Sequence, residues 1–469
     1  MVFSTIIFLF RFLPITLALY YLAPPKLKNT VLFLCSLVFY CWGEVRFFPV
    51  MVALILINYI SGLAIEHFDQ RPALRRAFLL AALIGSLGML FYFKYANFVL
   101  RSVNALLGTG FAEIQGIGTL PLGISFYTFQ TLSYSIDVYR RDVKAERNII
   151  DFGAYVVMFP QLIAGPIVRY AEIAPQLDER ETTFEDIAAG AGRFVIGLSK
   201  KVLLANVLYG LITAFQESKD LSVLYYWLYA VSFTLQLYFD FSGYSDMAIG
   251  LGRIFGFRFS ENFNYPYISA SITEFWRRWH KSLGSWFRDY VYIPLGGNRV
   301  SNAKWLRNIL VVWLLTGLWH GASWNFVLWG LGFAVLLVAE KLLYKERLEK
   351  THVLKHVYVL LFVTLSFVLF NASSLKEAAS QIGAMFGADG LPLVSAESLY
   401  YAKSYAVTFL IAVIGATPLC KNVVSKLAES ARGAQVLAIL QPVWLVLLLA
   451  ACTAFLVDGS FNPFLYFRF

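Results

Sequence analysis

Long apolar stretches alternate with short polar joints from one end of the chain to the other. The apolar segments fall near residues 3–23, 30–43, 48–66, 77–93, 120–138, 150–168, 190–214, 221–239, 243–257, 305–319, 324–344, 354–371, 404–418 and 436–457. A bilayer core takes about 20 apolar residues per crossing. The pattern therefore predicts an all-α polytopic membrane protein with room for roughly ten or more spans. Several segments are short or interrupted by glycine. These are expected to be re-entrant or interfacial, which is tolerated only where protein or a cavity covers the backbone.

The segment at 3–21 has no basic region ahead of it, and Pro24-Pro25 follows it in place of a small-residue cleavage site. It is expected to be a retained first span, not a signal peptide. No internal repeat, heptad run or separate soluble domain breaks the pattern. Residues 1–469 are expected to form a single integral membrane domain, with N-terminal helices over 1–119, a core over 120–345 and C-terminal helices over 346–469.

Residues 308–339 carry no formal charge, and His320 lies in their middle. The run is too long for one straight crossing and short for two, which need about 40 residues and a turn. It predicts a pair of tilted or broken helices meeting near Gly317, His320, Gly321 and Ser323. Such a break places an imidazole inside the membrane, where polar groups are expensive and usually functional. Thr316, Ser323, Asn325 and nearby indole N–H groups are the expected partners for the ring.

A polar-aromatic belt occupies 260–300. Read as one helix from Thr273, it puts Glu274, Arg278, Lys281 and Arg288 on one face and Phe275, Trp279, Leu283 and Trp286 on another. A basic face opposite an aromatic one describes a helix lying in the interface and anchored to anionic headgroups. His280 sits within the belt. The remaining histidines, His67, His352 and His356, fall at loop or helix ends.

Composition agrees with the pattern: 59% of residues are hydrophobic and 14% charged, against about 25% charged in a soluble domain. The net charge of +10 resides in short loops, at Lys26 and Lys28, at Arg71, Arg75 and Arg76, and at Arg140, Arg141, Lys144 and Arg147. Excess Lys and Arg in short loops marks the cytoplasmic side, so the N-terminus is expected outside and no nucleic-acid partner is implied. Cys35, Cys41, Cys420 and Cys452 lie in or beside apolar segments without metal-ligand spacing and are expected to be buried packing residues.

A neutral imidazole can accept a proton from an attacking hydroxyl or be acylated itself, and low dielectric favours the neutral ring. No G-x-S-x-G elbow is present. Asp240, Asp246 and Asp289 are acidic residues within reach of the aromatic belt by sequence, with helix-internal hydrogen bonding or pairing to Arg253, Arg277 or Arg288 the simplest expectation for them. The turn Pro294-Leu295-Gly296-Gly297-Asn298-Arg299 is expected to be a tight turn, not a phosphate cradle. Arg277, Arg278, Lys281 and Arg299 form a candidate basic mouth for a polyanion, and coenzyme A with its three phosphates fits one.

Five stretches now bear on family: PLGISFYTFQTLSYSIDVYR (121–140), FPQLIAGPIVRY (159–170), LQLYFDFSGYSDMAIGLGRIFGF (235–257), FWRRWHKSLGSWFRDYVYIPLGGNR (275–299) and GLWHGASWNFVLWG (317–330). In this order, with a closing NPFLYFRF (462–469), they resemble the membrane-bound O-acyltransferases, in the bacterial branch that modifies polysaccharides such as alginate or peptidoglycan. The resemblance implies a ring of tilted transmembrane and re-entrant helices around a central funnel or tunnel. It implies catalysis by His320, with His280 as a second active-site residue and Tyr466 as a possible acyl relay, an interfacial anchor being the plainer role for that tyrosine.

It further implies acetyl transfer from cytosolic acetyl-CoA, no tightly bound cofactor or metal, and a cytoplasmic-membrane location. A polysaccharide would be the final acceptor, reached through an extracytoplasmic acetyltransferase or esterase-like partner. Two other functions fit parts of the pattern. One is D-alanyl transfer from a carrier protein for teichoic acid modification, and the other is a proton-coupled transporter, whose midplane sites also use broken helices.

Overall fold

The computed structural model describes residues 1–117, 120–163 and 165–459. Among these every regular element is helical. The chain divides into two compact units, Met1–Phe194 with Met247–Ser260, and Val195–Asp246 with the chain from Glu261 onward.

In the first unit a π-helical turn, Phe8–Phe12, leads into α1 (Leu13–Leu22), followed by α2 (Lys28–Glu44) and α3 (Phe48–His67). Helix α4 (Pro72–Leu90) continues through a π-turn, Phe91–Tyr95, into α5 (Ala96–Leu107), and α6 (Ile124–Arg140) returns. The span expected at 150–168 is instead α7 (Ile149–Val157), a single turn α8 (Phe159–Leu162) and a loop. Pro160 explains the break, since its ring would clash with the carbonyl a turn earlier in a continued helix. Helices α9 (Tyr170–Asp178) and α10 (Phe184–Ser199) follow.

The sequence of α6 is polar, yet nearly all of it is buried. With no water in hydrocarbon, such groups must satisfy one another. Asn58 Nδ2 donates to Ser86 Oγ at 2.9 Å and Ser135 Oγ donates to Asn58 Oδ1 at 2.8 Å, joining α3, α4 and α6. Lys94 Nζ donates to Ser125 Oγ at 3.1 Å. The basic joints also meet. Arg141 and Arg75 both pair with Asp69, at 2.9 and 3.4 Å, and Arg147 pairs with Glu66. The joints after α3 and after α6 therefore lie together, as the charge pattern requires.

The second unit takes in a π-turn at Lys200–Ala205, α11 (Asn206–Glu217) and most of α12 (Val223–Ile254). The two segments expected over 221–257 are one helix of 32 residues. The polar stretch Asp240–Ser242 that suggested a break is buried inside it. Asp240 pairs with Lys201 at 2.6 Å and Asp246 with Lys200 at 2.7 Å. Helices α13 (Ile272–Arg278), α14 (Lys281–Phe287), α15 (Asn302–His320) and α16 (Trp324–Ala339) come next. A π-turn, Glu340–Tyr344, carries α16 into α17 (Lys345–Glu349). The unit closes with α18 (Leu354–Asn371), α19 (Leu375–Met385), α20 (Ala396–Ser404), α21 (Ala406–Gly415), α22 (Leu419–Ala428) and α23 (Ala431–Asp458).

Helices α15 and α16 form the expected broken pair, interrupted at Gly321–Ser323. They approach through glycine. A Cβ on Gly317 would sit 2.3 Å from the Phe326 carbonyl oxygen, and one on Gly330 would sit 2.3 Å from that of Trp313. Small residues at such contacts let helix backbones pack closely where lipid supplies no hydrophobic drive between them.

Among the described residues six helices are long and apolar enough to cross a membrane, or seven if the bent pair α20–α21 is one span. That is fewer than the roughly ten for which the chain has room. The remaining apolar segments form shorter helices such as α2, or helices of mixed polar and aromatic sequence such as α6 and α12 that are largely buried in protein. The cysteines are all free, but only Cys452 is buried and Cys420 is exposed, so the packing role expected of all four holds for one.

Candidate functional site

The belt at 260–300 does not form the single helix expected from Thr273. It breaks at Trp279 and His280, because the preceding segment pairs with the turn. Lys281 N donates to Asn262 O and Asn264 N to Arg278 O, both at 2.9 Å. His280 is held there with φ +43° and ψ +54°. That left-handed backbone is strained for a residue with a Cβ and persists only where its surroundings enforce it. Strain of this kind clusters at functional sites.

Helix α13 is fixed at its start by two caps. Ser271 Oγ accepts from Glu274 N at 3.0 Å. The buried Glu340 carboxylate accepts from Ile272 N at 2.7 Å, Thr273 N at 3.2 Å and Thr273 Oγ1 at 2.6 Å. A carboxylate at a helix N-terminus meets orphan N–H groups and the positive end of the dipole. Glu340 thus ties the end of α16 to the helix that carries Trp276 and Arg277.

Both histidines are buried and close together, with ring centroids 6.4 Å apart. His280 Nδ1 lies 3.2 Å from Asn262 Oδ1, and its ring packs edge-on against Phe241 at 4.7 Å. Its Nε2 is buried with no hydrogen-bond partner among the described residues. Among the described residues the turn that holds His280 lies in none of the helices long and apolar enough to cross a membrane, and burial keeps its imidazole below the usual histidine range. His320 ends α15, packed against Trp319 and Trp329 at 5.0 Å each and Phe370 at 5.4 Å. Two of the polar partners expected for it serve elsewhere: Thr316 Oγ1 donates to Val312 O at 2.8 Å and Asn325 Nδ2 to Ala372 O at 2.5 Å.

A cavity of about 1010 Å³ opens beside this pair. That is the upper end of the range for small-molecule pockets. Its walls include His280, Trp276, Trp313 and Thr316 together with Arg277, Lys281, Arg288, Lys341, Lys345 and the acidic Glu274, Glu340 and Glu349. Trp276 Nε1 is also buried without a partner among the described residues. His320 is not itself in the wall. It lies one helical turn past Thr316, which lines the cavity, and its ring is 6.4 Å from that of His280.

Of the four basic residues expected at the mouth, Arg277 and Lys281 line the cavity. Arg278 instead pairs with Glu274 at 2.8 Å and donates to Asn264 O at 3.0 Å, serving the turn. Arg299 sits in the glycine turn, where Asn298 reaches the wall. That turn is tight, with Gly296 at φ +100° and Gly297 at φ +56°, and Asn308 Nδ2 donates to the Gly297 carbonyl at 3.0 Å. Asp289 pairs with Arg288 at 2.6 Å as expected. Asp240 and Asp246 take lysines instead, and Arg253 pairs with Asp186 at 3.0 Å. Tyr466 lies outside the described residues.

Several site residues escaped the sequence reading. Asn262 and Glu340 lie outside the motif stretches and carried no motif signal, while Trp276 lies within one of them without being singled out; a carboxylate at the end of an uncharged apolar run is itself a cue for burial with a partner.

Known proteins place this arrangement. Residues 90–376 match the family model described as MBOAT, membrane-bound O-acyltransferase family. The chain is 42% identical to a protein of Azotobacter vinelandii named "Probable alginate O-acetylase AlgI", with all of both chains covered. It is 45% identical to a protein of the same name in Pseudomonas aeruginosa, over 82% of this chain and 75% of the relative. It is 36% identical to the "Peptidoglycan O-acetyltransferase" of Helicobacter pylori, over 84% of this chain and 81% of the relative. The matched span contains the cavity, both histidines and the broken α15–α16 pair. The chain belongs to the membrane-bound O-acyltransferase family and is an acyl-transfer enzyme of the membrane.

Proposed function

We propose that this protein moves an acetyl group from cytosolic acetyl-CoA, through the membrane, for O-acetylation of an extracytoplasmic polysaccharide. The relatives that match along the whole chain are named as alginate O-acetylases, and a further one as a peptidoglycan O-acetyltransferase. These names favour acetyl over D-alanyl transfer and an anionic or peptidoglycan-type glycan as final acceptor. They also weigh against a transporter without acyl chemistry.

One observation carries the proposal. A cavity with a basic wall is lined by the buried His280, whose ring lies 6.4 Å from that of the buried His320. Arg277, Lys281 and Lys341 suit the phosphates of coenzyme A, as charge-assisted contacts are the strong ones, while Arg288 is held by Asp289 and Lys345 by Glu349. Excess basic residues mark the cytoplasmic side, which puts the donor entrance there. By the same rule the N-terminus is extracytoplasmic in the bacterial inner membrane. Coenzyme A is too charged to cross hydrocarbon, so only the acyl group passes.

Within the site, His320 acts as general base. An acceptor hydroxyl attacks the thioester carbonyl, its oxygen–carbon bond forms as the carbon–sulfur bond breaks, and its proton passes to the imidazole and then to the departing thiolate. The acetyl group continues to an extracytoplasmic transferase or esterase-like partner, with Tyr466 the candidate relay residue. Arg277→Ala in reconstituted vesicles should raise the apparent KM for acetyl-CoA about tenfold, as loss of one charge-assisted contact implies, with kcat little changed. Unchanged donor kinetics would refute the cavity as the donor site.

A further inference from the structure

His280 lines the cavity, but which of its nitrogens meets a substrate depends on where its ring proton sits. Asn262 decides this. It is fully buried, and its Oδ1 receives Ser282 N at 3.3 Å and Ser282 Oγ at 2.9 Å, while its Nδ2 donates to Ser245 Oγ at 3.0 Å. Ser282 N is a backbone donor and cannot accept. The atom facing it must therefore be the amide oxygen, which settles the orientation of the side chain.

The same oxygen lies 3.2 Å from His280 Nδ1. Ser282 Oγ lies 3.5 Å from the same nitrogen but gives its one proton to Asn262 Oδ1 at 2.9 Å, so Nδ1 faces oxygen acceptors and carries the proton, and a neutral ring has an unprotonated Nε2. That atom is buried and has no partner among the described residues. The left-handed backbone of His280 and the two main-chain bonds between the 262–264 and 278–281 segments hold the ring in this register.

We infer that Asn262 is a positioning residue that fixes the Nδ1–H tautomer of His280 and leaves Nε2 as an acceptor for a hydroxyl or amide N–H of a substrate. The inference rests on the assignment of His280 to the acyl-transfer site. It has a sharp consequence: neutral His280 cannot donate through Nε2, so it does not stabilise negative charge on the thioester oxygen. The donors for that charge must come from elsewhere, and Trp276 Nε1–H in the same wall, which has no partner among the described residues, is available.

The test uses the full chain reconstituted in vesicles with radiolabelled acetyl-CoA and the variants Asn262→Leu, Asn262→Asp and His280→Ala. Asn262→Leu should lower kcat by about tenfold or more, as loss of tautomer control does elsewhere, and leave the donor KM within about twofold. Asn262→Asp keeps the shape and the Ser282 bonds but places a carboxylate on Nδ1, which raises the basicity of the ring. Below its raised pKa the ring carries a proton on Nε2 and cannot accept, so the rate should climb with pH across about pH 6 to 8.

His320 on α15 faces His280, the cavity it lines carries Glu274 and Arg277 on α13, Lys281 on α14, and Arg288, Glu340, Lys341, Lys345 and Glu349, and α12 presents the Phe241 ring. All are shared by wild type and variants, so a new limb belongs to the substitution. An Asn262→Asp pH profile superimposable on wild type, with Asn262→Leu at full kcat and His280→Ala inactive, would overturn the role of Asn262 alone. Full activity in His280→Ala would remove the assignment beneath it.

Discussion

Lys201 and Asp240 form an ion pair whose side chains are 2% and 0% exposed. Burying two charges is expensive, and removing one partner leaves the other uncompensated, at about 3–5 kcal/mol. Lys201→Met should therefore lower the melting temperature of the detergent-solubilised protein sharply, while the double variant Lys201→Met/Asp240→Leu should recover most of it. Equal destabilisation by the single and double variants would show that the pair does not hold α12. The sequence drew attention to Asp240 but offered an arginine as its mate. The true partner lies 39 residues away on a π-turn, a distance that no local pattern encodes. His320 and His280 were legible for a simpler reason. An imidazole in an uncharged or aromatic run must be explained by chemistry or by partners. Asn262 was not legible, because an asparagine in a polar loop is unremarkable until the fold buries it.

At the scale of the element, the α15–α16 pair was legible from length alone, since the uncharged run fits neither one crossing nor two. The break at His280 was not, because its cause is main-chain pairing with 262–264, brought in by the fold. Helix α12 shows the converse, in that its polar interruption suggested a boundary but buried pairing carries the helix through. The hairpin's closeness depends on Gly317. In Gly317→Ala the new methyl meets the backbone oxygen of Phe326, which cannot swing aside. We expect a loss of about 1–3 kcal/mol from overpacking, with acetyl transfer falling further because His320 ends the displaced helix. Gly332 has open space at its Cβ position, so Gly332→Ala should leave both stability and activity near wild type. Comparable damage from both substitutions, read by thermal denaturation and acetyl transfer, would argue against close packing as the determinant.

On the scale of the whole molecule, composition and hydrophobic patterning established the all-α membrane class, and ordered motifs established the family. The number of spans was less accessible. Hydrophobicity marks what avoids water, not whether lipid or protein covers it. Helix α6 is polar and buried in protein, whereas α23 is apolar and almost wholly exposed. The site reflects the same division of labour. Charged groups gather in a cavity wall, aromatic rings enclose the histidines, and His320 is not itself among the residues of that wall. Donor binding and acyl transfer should therefore be separable by mutation. The most direct measurement is transfer of radiolabelled acetyl from acetyl-CoA by His320→Ala in reconstituted vesicles, alongside donor binding and protein abundance. We expect transfer to vanish while donor affinity and abundance stay at wild-type levels. Transfer at the wild-type rate would contradict the role assigned to His320.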